Sequence, residues 1–380
     1  MRNRNRVCVC VLVTLLLIPC VSAQARKKAP KEPRVEEVVL TGFGGFELPG
    51  KVTIPAKIED DEVERVIVLL HGSGPQDMDE DITAHTLERQ ENKPFVVLSD
   101  ALVEAGFSVV RYHKRSFVVR QMIGEDPLYL ESEEFKSFND DPLEALVEDA
   151  AAVAGYARER FPQAGIHLLG HSQGTYLGLQ VAHANDWIAG VGMIGFYGAR
   201  LETMAFEQVV YRSMSTFHGI DGDGDGVLSA EEMAAHPIGM ALAAGLAPID
   251  PNGDGALTEA EYMGANFSNM LARELIPATY TRRETEYPAV GTIVAGLEIP
   301  LVFLSGMLDN QTPAYHTMAI QACNEAEWNK TNLTFRYYDG LGHALDPRNS
   351  YDELIFRLMD PAALADLVAT LDGAFAAAAE

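Results

Sequence analysis

Residues 166–184 decide the fold, and they read IHLLGHSQGTYLGLQVAHA. The opening apolar run predicts a buried strand, and the apolar spacing from Thr175 to Ala184 predicts a helix. The turn between them, GHSQG at 170–174, fits the pattern G-x-S-x-G, in which small residues permit a sharp and strained turn. Such a turn lifts the Ser172 hydroxyl above the sheet at a helix N-terminus, where free N–H groups favour developing negative charge. Ser172 is therefore the predicted nucleophile.

Strands and helices alternate on both sides of this turn. The other predicted strands are 35–40, 46–54, 66–70, 107–112, 191–196, 301–305 and 333–338, and the other predicted helices are 95–105, 142–160, 314–328 and one within 361–378. Glycines and Pro49 punctuate the first two strands, which predicts an antiparallel pair. The alternation predicts an α/β fold with a doubly wound, mostly parallel sheet. Residues 201–288 interrupt it with helices and acidic, glycine-rich loops, which predicts an inserted helical cap.

The composition is that of an ordinary globular protein. The chain has 380 residues, of which 47% are hydrophobic and 22% charged, and this excludes disordered, collagen-like and disulfide-scaffold proteins. Asp and Glu number 55 against 29 Lys and Arg, giving a net charge of −26. Such an acidic surface repels phosphate backbones and anionic lipid, so we expect no nucleic-acid partner. The charge is consistent with solubility or with the binding of cations.

The N-terminus has the pattern of a secretory signal peptide. Arg2, Arg4 and Arg6 precede an apolar run at 7–18, and Val21-Ser22-Ala23 offers a small-x-small cleavage site. The sequence therefore predicts a signal peptide at 1–23, a linker at 24–35 and a secreted or periplasmic protein. The apolar run is too short to span a bilayer, and no later stretch is long enough, so stable membrane insertion is not expected. Cys323 is the only cysteine after the signal region, which excludes an intrachain disulfide.

A serine hydroxyl needs a base, and the base needs an acid to fix its tautomer. His343 follows the predicted strand 333–338 in the loop GLGH, where a general base is expected. Asp309 follows the strand 301–305 and can approach the far ring nitrogen of His343 from a separate loop. Asp339 and Asp346 are closer to His343 in sequence, which argues against them because the acid must come from a separate loop. The predicted catalytic residues are therefore Ser172, Asp309 and His343.

Acyl transfer also needs donors for the oxyanion. The backbone N–H of Gln173, directly after the nucleophile, is the first predicted donor. The loop HGSGP at 71–75 follows the strand 66–70, and its glycines allow close approach of the backbone. The N–H of Ser73 is the second predicted donor, with Gly72 and Gly74 as alternatives, while His71 is expected to be structural.

With the order Ser172, Asp309, His343, the chain resembles the serine hydrolases of the α/β-hydrolase fold over residues 36–200 and 289–380. The stretches HGSGPQD at 71–77, NKPF at 92–95 and RYHKR at 111–115 are similar to an exported bacterial branch of esterases, acyl thioesterases and serine-peptidase-like hydrolases. That branch commonly has Asp-Lys-Arg-Gly where this chain has HKRS at 113–116. The resemblance implies hydrolysis of a small-molecule acyl substrate through an acyl-enzyme, with a carboxylesterase as the first expectation.

The predicted cap carries two stretches that fit the EF-hand calcium loop, DGDGDGVLSAEE at 221–232 and DPNGDGALTEAE at 250–261. The loop positions that supply side-chain or carbonyl oxygens predict two Ca²⁺ sites. Their ligands are Asp221, Asp223, Asp225, Val227, Ser229 and Glu232 in the first loop and Asp250, Asn252, Asp254, Ala256, Thr258 and Glu261 in the second. We expect Leu228 and Leu257 to pair through a short β-bridge.

The short spacing between the loops, 233–249 with Pro237 inside it, predicts truncated helices like those of dockerin-like repeats. Because an exported protein meets steady calcium, the ions are expected to stabilise the cap rather than to regulate the enzyme.

Other functions stay open at this point. Within the fold, the alternatives to an esterase are a peptidase and an acyl thioesterase. Outside catalysis, the chain could be a calcium-dependent binding module on a hydrolase scaffold, although the complete set of catalytic residues argues against this. A dockerin-like adaptor is disfavoured because the loops lie inside the fold. The acyl chain, the leaving group, any protein partner and the oligomeric state are not predicted.

Overall fold

The structure is a computed structural model that describes residues 32–272, 278–351, 353 and 355–376. The predicted signal peptide at 1–23 and most of the predicted linker lie outside the described residues. Within these ranges, none of the helices combines the length and the hydropathy that crossing a bilayer requires.

Eight strands form one sheet in the order β1-β2-β4-β3-β5-β6-β9-β10, and β7 pairs with β8 separately. The strand bounds are β1 (Arg34–Thr41), β2 (Glu47–Ile54), β3 (Arg65–Leu70), β4 (Ser108–Tyr112), β5 (Gly165–His171), β6 (Ile188–Ile194), β7 (Val227–Leu228), β8 (Leu257–Thr258), β9 (Leu301–Gly306) and β10 (Leu333–Tyr338). In the large sheet, β1 pairs with β2 and β2 with β4 in the antiparallel sense. The pairs β4–β3, β3–β5, β5–β6, β6–β9 and β9–β10 are parallel. The predicted antiparallel pair and mostly parallel sheet are confirmed.

Helices cover both faces of the large sheet. Before the predicted cap they are α1 (Pro94–Glu104), α2 (Arg115–Glu125), α3 (Glu133–Asp140), α4 (Pro142–Arg160) and α5 (Gln173–Ala184). Within and after it they are α6 (Leu201–Phe206), α7 (Arg212–Ile220), α8 (Ala230–Ala235), α9 (Pro237–Ala244), α10 (Glu259–Ala272), α11 (Ala278–Glu286), α12 (Val290–Gly296), α13 (Tyr315–Cys323) and α14 (Pro361–Ala376). Two π-helical turns, Glu207–Tyr211 and Asn324–Trp328, and five short 3-10 helices, Phe43–Gly45, Asp60–Glu62, Thr83–His85, Leu87–Arg89 and Pro127–Glu131, complete the helical segments of the described residues.

The central strand β3 explains why the sheet has a core on each face. Its side chains alternate in direction, as in any strand, so Val66, Val68 and Leu70 enter one apolar cluster and Ile67 and Leu69 enter the other. Helices α4, α5 and α12 cover the first cluster, and helices α1 and α14 cover the second. All five side chains are fully buried, which is why this strand reads as a continuous apolar run.

Helices α6 to α11 lie between β6 and β9 in the chain and include both acidic loops. They have an apolar cluster of their own, made of Met214, Phe217, Ile220, Leu228, Met233, Leu257 and Tyr262. Leu228 pairs with Leu257 in the β7–β8 ribbon, as the sequence predicted. Helices α8 and α9 are short and are separated by His236, whose backbone is extended, in agreement with the short spacing between the loops.

Several element ends differ from the sequence-based expectation by one to three residues, as for β6, which is predicted at 191–196 and observed at Ile188–Ile194. Three further differences follow. Strand β1 begins at Arg34, inside the predicted linker, because Arg34 continues the antiparallel register opposite Ile54. The predicted helix 314–328 is divided into α13 and a π-helical turn. Helices α2 and α3 were not predicted; the sequence of α2, RSFVVRQMIGE, has no apolar stripe at helical spacing.

Candidate active site

Ser172 occupies the turn between β5 and α5 with φ 53° and ψ −120°. A positive φ is strained for a residue with a side chain, and here the surrounding backbone enforces it. The Ser172 N–H donates to the Ile194 carbonyl oxygen at 2.9 Å. A Cβ on Gly170 would lie 2.4 Å from the backbone of Gly174, and a Cβ on Gly174 would lie 2.0 Å from the Leu70 carbonyl oxygen. The turn therefore requires glycine two residues before and two residues after the serine.

His343 and Asp309 come from two loops at the carboxyl ends of β10 and β9. The Nδ1 of His343 lies 2.9 Å from Oδ2 of Asp309, and both side chains are buried. The hydroxyl of Thr312 donates to the same Oδ2 at 2.8 Å, and it lies 3.1 Å from the His343 Nδ1. The Asp309 carboxylate thus fixes the orientation of the His343 ring, and Thr312 fixes the orientation of the carboxylate.

The pKa of Asp309 falls below its ordinary value. Burial by itself raises this pKa, but the His343 ring and the backbone N–H groups of Gln311 and Thr312 together lower it. Asp309 is therefore a carboxylate at neutral pH. Asp346, which the sequence argument set aside, is committed to an ion pair with Arg348 at 2.9 Å.

Ser172 and His343 line the same cavity, of about 340 Å³, at the carboxyl edge of the parallel strands. Gly72 and Ser73 also line it, so the predicted oxyanion loop and the predicted nucleophile face one space. Ligand sites of open α/β sheets form at this edge.

The hydrogen bonds of the oxyanion loop separate the predicted donors. The Gly72 N–H donates to Oε1 of Glu80 at 2.7 Å, so this alternative donor is already engaged. Among the described residues, no acceptor takes the N–H of Ser73 or that of Gln173. These two N–H groups remain the predicted pair.

A buried ion pair beside the nucleophile was not anticipated from the sequence. Oε2 of Glu80 lies 3.0 Å from Nδ1 of His171, whose Nε2 lies 3.2 Å from the backbone oxygen of His343. Both ring nitrogens thus face acceptors, which favours the imidazolium. Burial lowers the pKa of His171, but the Glu80 carboxylate more than offsets this and the pKa is raised. The pair joins the oxyanion loop to the loop that carries His343.

The only signals for this pair in the sequence were weak. Glu80 lies in the acidic run DMDED at 77–81, which is typical of a solvated loop. The run does not indicate that the backbone of Glu80 has a φ of 51°. His171 was noticed only as a variable position of the G-x-S-x-G pattern.

Lys114 is a second buried group beneath the oxyanion loop. Its Nζ donates to the Gly72 carbonyl oxygen at 2.6 Å and to the Gln173 Oε1 at 2.7 Å. Gln173 in turn donates to the hydroxyl of Tyr280, on helix α11, at 3.0 Å. Burial lowers the pKa of Lys114 to about 7, although Glu80 opposes this. Lys114 therefore holds together the two backbone segments that supply the predicted oxyanion donors.

The segment from Glu207 to Arg212 contacts the active-site loops directly. The Gln208 side chain donates to the Gln311 carbonyl oxygen at 2.8 Å, next to the loop of Asp309. Glu207 and His316 form a second link, at 2.8 Å, and Arg212 lines the catalytic cavity. This segment therefore forms part of the cavity wall.

The first acidic loop has the shape of a cation site. The carboxylate oxygens of Asp221, Asp223 and Asp225 lie within 4.8 Å of one another. Asp221 accepts the N–H groups of Gly224 and Gly226 at 2.8 and 3.0 Å, which curls the loop around its own carboxylates. At the end of the loop, Ser229 Oγ donates to Glu232 Oε2 at 2.7 Å.

The second acidic loop repeats the hydrogen-bond pattern of the first. Asp250 accepts the N–H groups of Gly253 and Gly255 at 2.8 and 3.0 Å, and Thr258 Oγ1 donates to Glu261 Oε2 at 2.8 Å. Both loops present hard oxygen atoms, the donor type that Ca²⁺ prefers. The carboxylates brought together in the first loop, and the matching hydrogen bonds of the second, are therefore compatible with bound Ca²⁺. The Val227 and Ala256 carbonyl groups, together with Asn252 and Asp254, remain predicted ligands.

Comparison with known proteins agrees with the fold. No family model matches the chain. Over 164 residues the chain is 34% identical to Esterase EstD of Thermotoga maritima; the match covers 43% of this chain and about a third, 34%, of that relative.

Among solved structures, Est1E from Butyrivibrio proteoclasticus matches with a TM-score of 0.50 and 14% identity, covering 90% of this chain and 99% of that one. Brefeldin A esterase, described as a bacterial homologue of human hormone sensitive lipase, matches with a TM-score of 0.50 and 19% identity over 97% and 81% of the two chains. At these identities the likeness shows the fold, which is the α/β-hydrolase fold.

Proposed function

We propose that this chain, which has the α/β-hydrolase fold, is a serine hydrolase that cleaves carboxylic esters. The observation that carries the proposal is the shared cavity of Ser172 and His343, with the His343 ring hydrogen-bonded to the buried Asp309 at 2.9 Å. The partial match to an esterase supports an ester rather than an amide substrate.

The chemistry proceeds through an acyl-enzyme. Ser172 Oγ attacks the ester carbonyl carbon while His343 Nε2 takes the hydroxyl proton, and the Ser73 and Gln173 N–H groups stabilise the oxyanion. Collapse of the tetrahedral intermediate expels the alcohol, which receives the proton from His343. A water molecule then attacks the acyl carbon while His343 accepts its proton. The second tetrahedral intermediate breaks its bond to Ser172 Oγ, His343 returns the proton to this oxygen, and the acid is released. Asp309 remains ionised throughout and stabilises the imidazolium.

Hydrolysis of para-nitrophenyl esters of increasing acyl length tests this proposal. We expect turnover by the unaltered protein and a loss of roughly 10⁴-fold or more in Ser172→Ala. Ser137→Ala, on the exposed surface of α3, is the matched control and should keep full turnover. Equal turnover by the unaltered protein and Ser172→Ala would remove Ser172 from the reaction. Turnover of amide or thioester analogues alone would assign a different acyl bond.

We further propose that the two acidic loops bind Ca²⁺ and that the ions stabilise the cap. The ions would neutralise carboxylates that otherwise repel one another, and would hold α7, α8 and α10 at fixed angles. Chelation should then lower the melting temperature, and added Ca²⁺ should restore it. A melting temperature that is the same in chelator and in millimolar Ca²⁺ would contradict this role.

Export is proposed on the N-terminal sequence alone. The basic residues, apolar run and small-residue site of 1–23 support cleavage after Ala23. The N-terminal sequence of protein recovered outside the cytoplasm tests this: it should begin at Gln24. A cytoplasmic product that retains residues 1–23 would contradict it.

A further inference from the structure

Arg212 differs from the other arginines enclosed by this fold. Arg111, Arg115 and Arg348 each form an ion pair with a carboxylate, namely Asp79, Asp149 and Asp346. Arg212 is half-buried at the start of α7 and lines the catalytic cavity together with Ser172 and His343. Among the described residues, neither an ion pair nor a hydrogen bond involves its guanidinium.

The acidic groups closest to this cavity are already committed. Asp309 is bound by His343 and Thr312, and Glu80 is bound by His171 and the Gly72 N–H. The charge of Asp309 acts on Arg212 from a distance, and that of Arg348 opposes it, but no carboxylate bonds to the guanidinium among the described residues. Enclosing a cation without a directly bonded counter-charge costs free energy, because the charge loses part of its hydration. A ligand that brings its own negative charge into the cavity removes this cost.

The position of Arg212 is held by contacts on both sides of it. One turn earlier, Gln208 is bound to the Gln311 carbonyl oxygen and Glu207 is bound to His316. Further along α7, Phe217 is fully buried in the apolar cluster of the cap. The guanidinium is therefore presented to the cavity by a fixed segment rather than by a free loop.

The remaining cavity wall combines polar side chains with apolar surface. Gln76, His85 and Gln311 line it, and the large apolar side chains in the wall are Ile82 and Phe356. A long alkyl chain would leave these polar groups without partners, which is unfavourable. A short substrate with a charged end satisfies the same wall.

We propose that Arg212 selects ester substrates that carry a carboxylate a few bonds from the scissile ester; the proposal rests on the ester hydrolysis proposed above. The planar guanidinium would hold this carboxylate by two parallel hydrogen bonds, a geometry that a lysine does not offer. The carboxylate could belong to the acyl group or to the alcohol, and the test separates these two cases.

Two pairs of substrates test the selectivity. On the acyl side, para-nitrophenyl hydrogen glutarate is compared with its methyl ester; on the alcohol side, para-acetoxybenzoate is compared with its methyl ester. We expect the unaltered protein to prefer the anionic member of one pair. In Arg212→Gln, the ratio of kcat/KM for that member to kcat/KM for its neutral partner should fall roughly 10- to 100-fold, the value of a hydrogen-bonded charge.

The controls separate charge from fold. Arg282→Gln removes the same charge from an exposed site on α11 and should keep the selectivity. Arg212→Lys should recover only part of it. Equal melting temperatures of these variants and the unaltered protein exclude unfolding as the cause. A ratio of anionic to neutral turnover that is the same in the unaltered protein and in Arg212→Gln overturns the proposal.

A binding measurement distinguishes failure of this proposal from failure of ester hydrolysis. Calorimetric titration with glutarate and with para-hydroxybenzoate needs no turnover. Binding that is lost in Arg212→Gln supports the anion site even if no ester is cleaved. If neither anion binds the unaltered protein, or if both proteins bind them equally, the anion site is overturned.

Discussion

At the scale of single residues, Asp309 offers the most direct test of the candidate catalytic set. Asp309→Asn keeps the shape of the side chain but favours the wrong tautomer of His343, and we expect kcat to fall by roughly 10⁴-fold. Asp339→Asn alters an exposed carboxylate in the loop of His343 and serves as the control. Steady-state kinetics with a para-nitrophenyl ester measures both. Equal losses in the two variants would remove Asp309 from its predicted role.

The Glu80–His171 pair should stabilise the protein as well as the site. Glu80→Gln removes the counter-charge of the His171 imidazolium, and we expect the free energy of unfolding to fall by about 1.5–3 kcal/mol. Because the pair joins the Gly72 and His343 loops, kcat should fall too. Urea denaturation and kinetics check this, with the exposed Glu88→Gln as control. An unaltered stability would mean that the pair carries no net energy.

Lys114 gives a prediction for pH. Its folded-state pKa is lowered to about 7, whereas in the unfolded chain it stays near its ordinary value of 10.5. Between these values the unfolded chain binds the extra proton, so Lys114 makes stability rise as pH increases above about 7. The stability of Lys114→Met should lack this part of its rise with pH. Lys136 is exposed, so Lys136→Met should retain the full rise. Parallel stability–pH curves for the unaltered protein and Lys114→Met would contradict the lowered pKa.

Residues with a fixed place in a motif were predictable, and residues that act through tertiary contact were not. Ser172 and His343 follow predicted strands, so their common cavity could be inferred from topology. Glu80 contacts His171, which is 91 residues away in the chain, and Lys114 contacts Gln173, which is 59 residues away. No local pattern encodes such a pairing, because burial of the charge depends on the complete fold.

At the scale of elements, two helix glycines should respond in opposite ways to the same change. In Gly174→Ala the new methyl group meets the Leu70 backbone, and we expect a loss of about 3 kcal/mol or more. In Gly155→Ala, on α4, nothing lies within 4 Å of the new atom, so helix propensity should add about 0.5–1 kcal/mol. Thermal unfolding measures both. A stable Gly174→Ala would contradict the close approach of α5 to β3.

Helices and strands were predictable where their buried side chains give the sequence a run or a regular spacing of apolar residues. The apolar runs of β3 and β5 and the helix Pro142–Arg160 followed from this rule. The π-helical turn Asn324–Trp328 did not, because its residues share the composition of an ordinary helix. Helices α2 and α3 are not evident from the sequence either, because the apolar residues of α2 form no stripe at helical spacing and α3 is only eight residues long.

At the scale of the whole molecule, the two acidic loops should act as one unit. Leu228 and Leu257 pair directly and share an apolar cluster, so a ligand lost from one loop affects the other. Glu232→Gln and Glu261→Gln should each reduce the rise of the melting temperature with added Ca²⁺. Glu231→Gln, one residue before the predicted ligand, is the control. An undiminished rise in both ligand variants would place calcium binding elsewhere.

Helix α7 connects these loops to the catalytic cavity: Arg212 begins it, and Asp221, the first predicted calcium ligand, follows its last residue. Its nine residues span about 13 Å. Thermodynamic reciprocity then applies to the two proposed ligands. If calcium orients Arg212 for an anionic ester, that ester must tighten calcium binding by the same factor. Calcium would then bind most tightly while an anionic ester occupies the catalytic cavity.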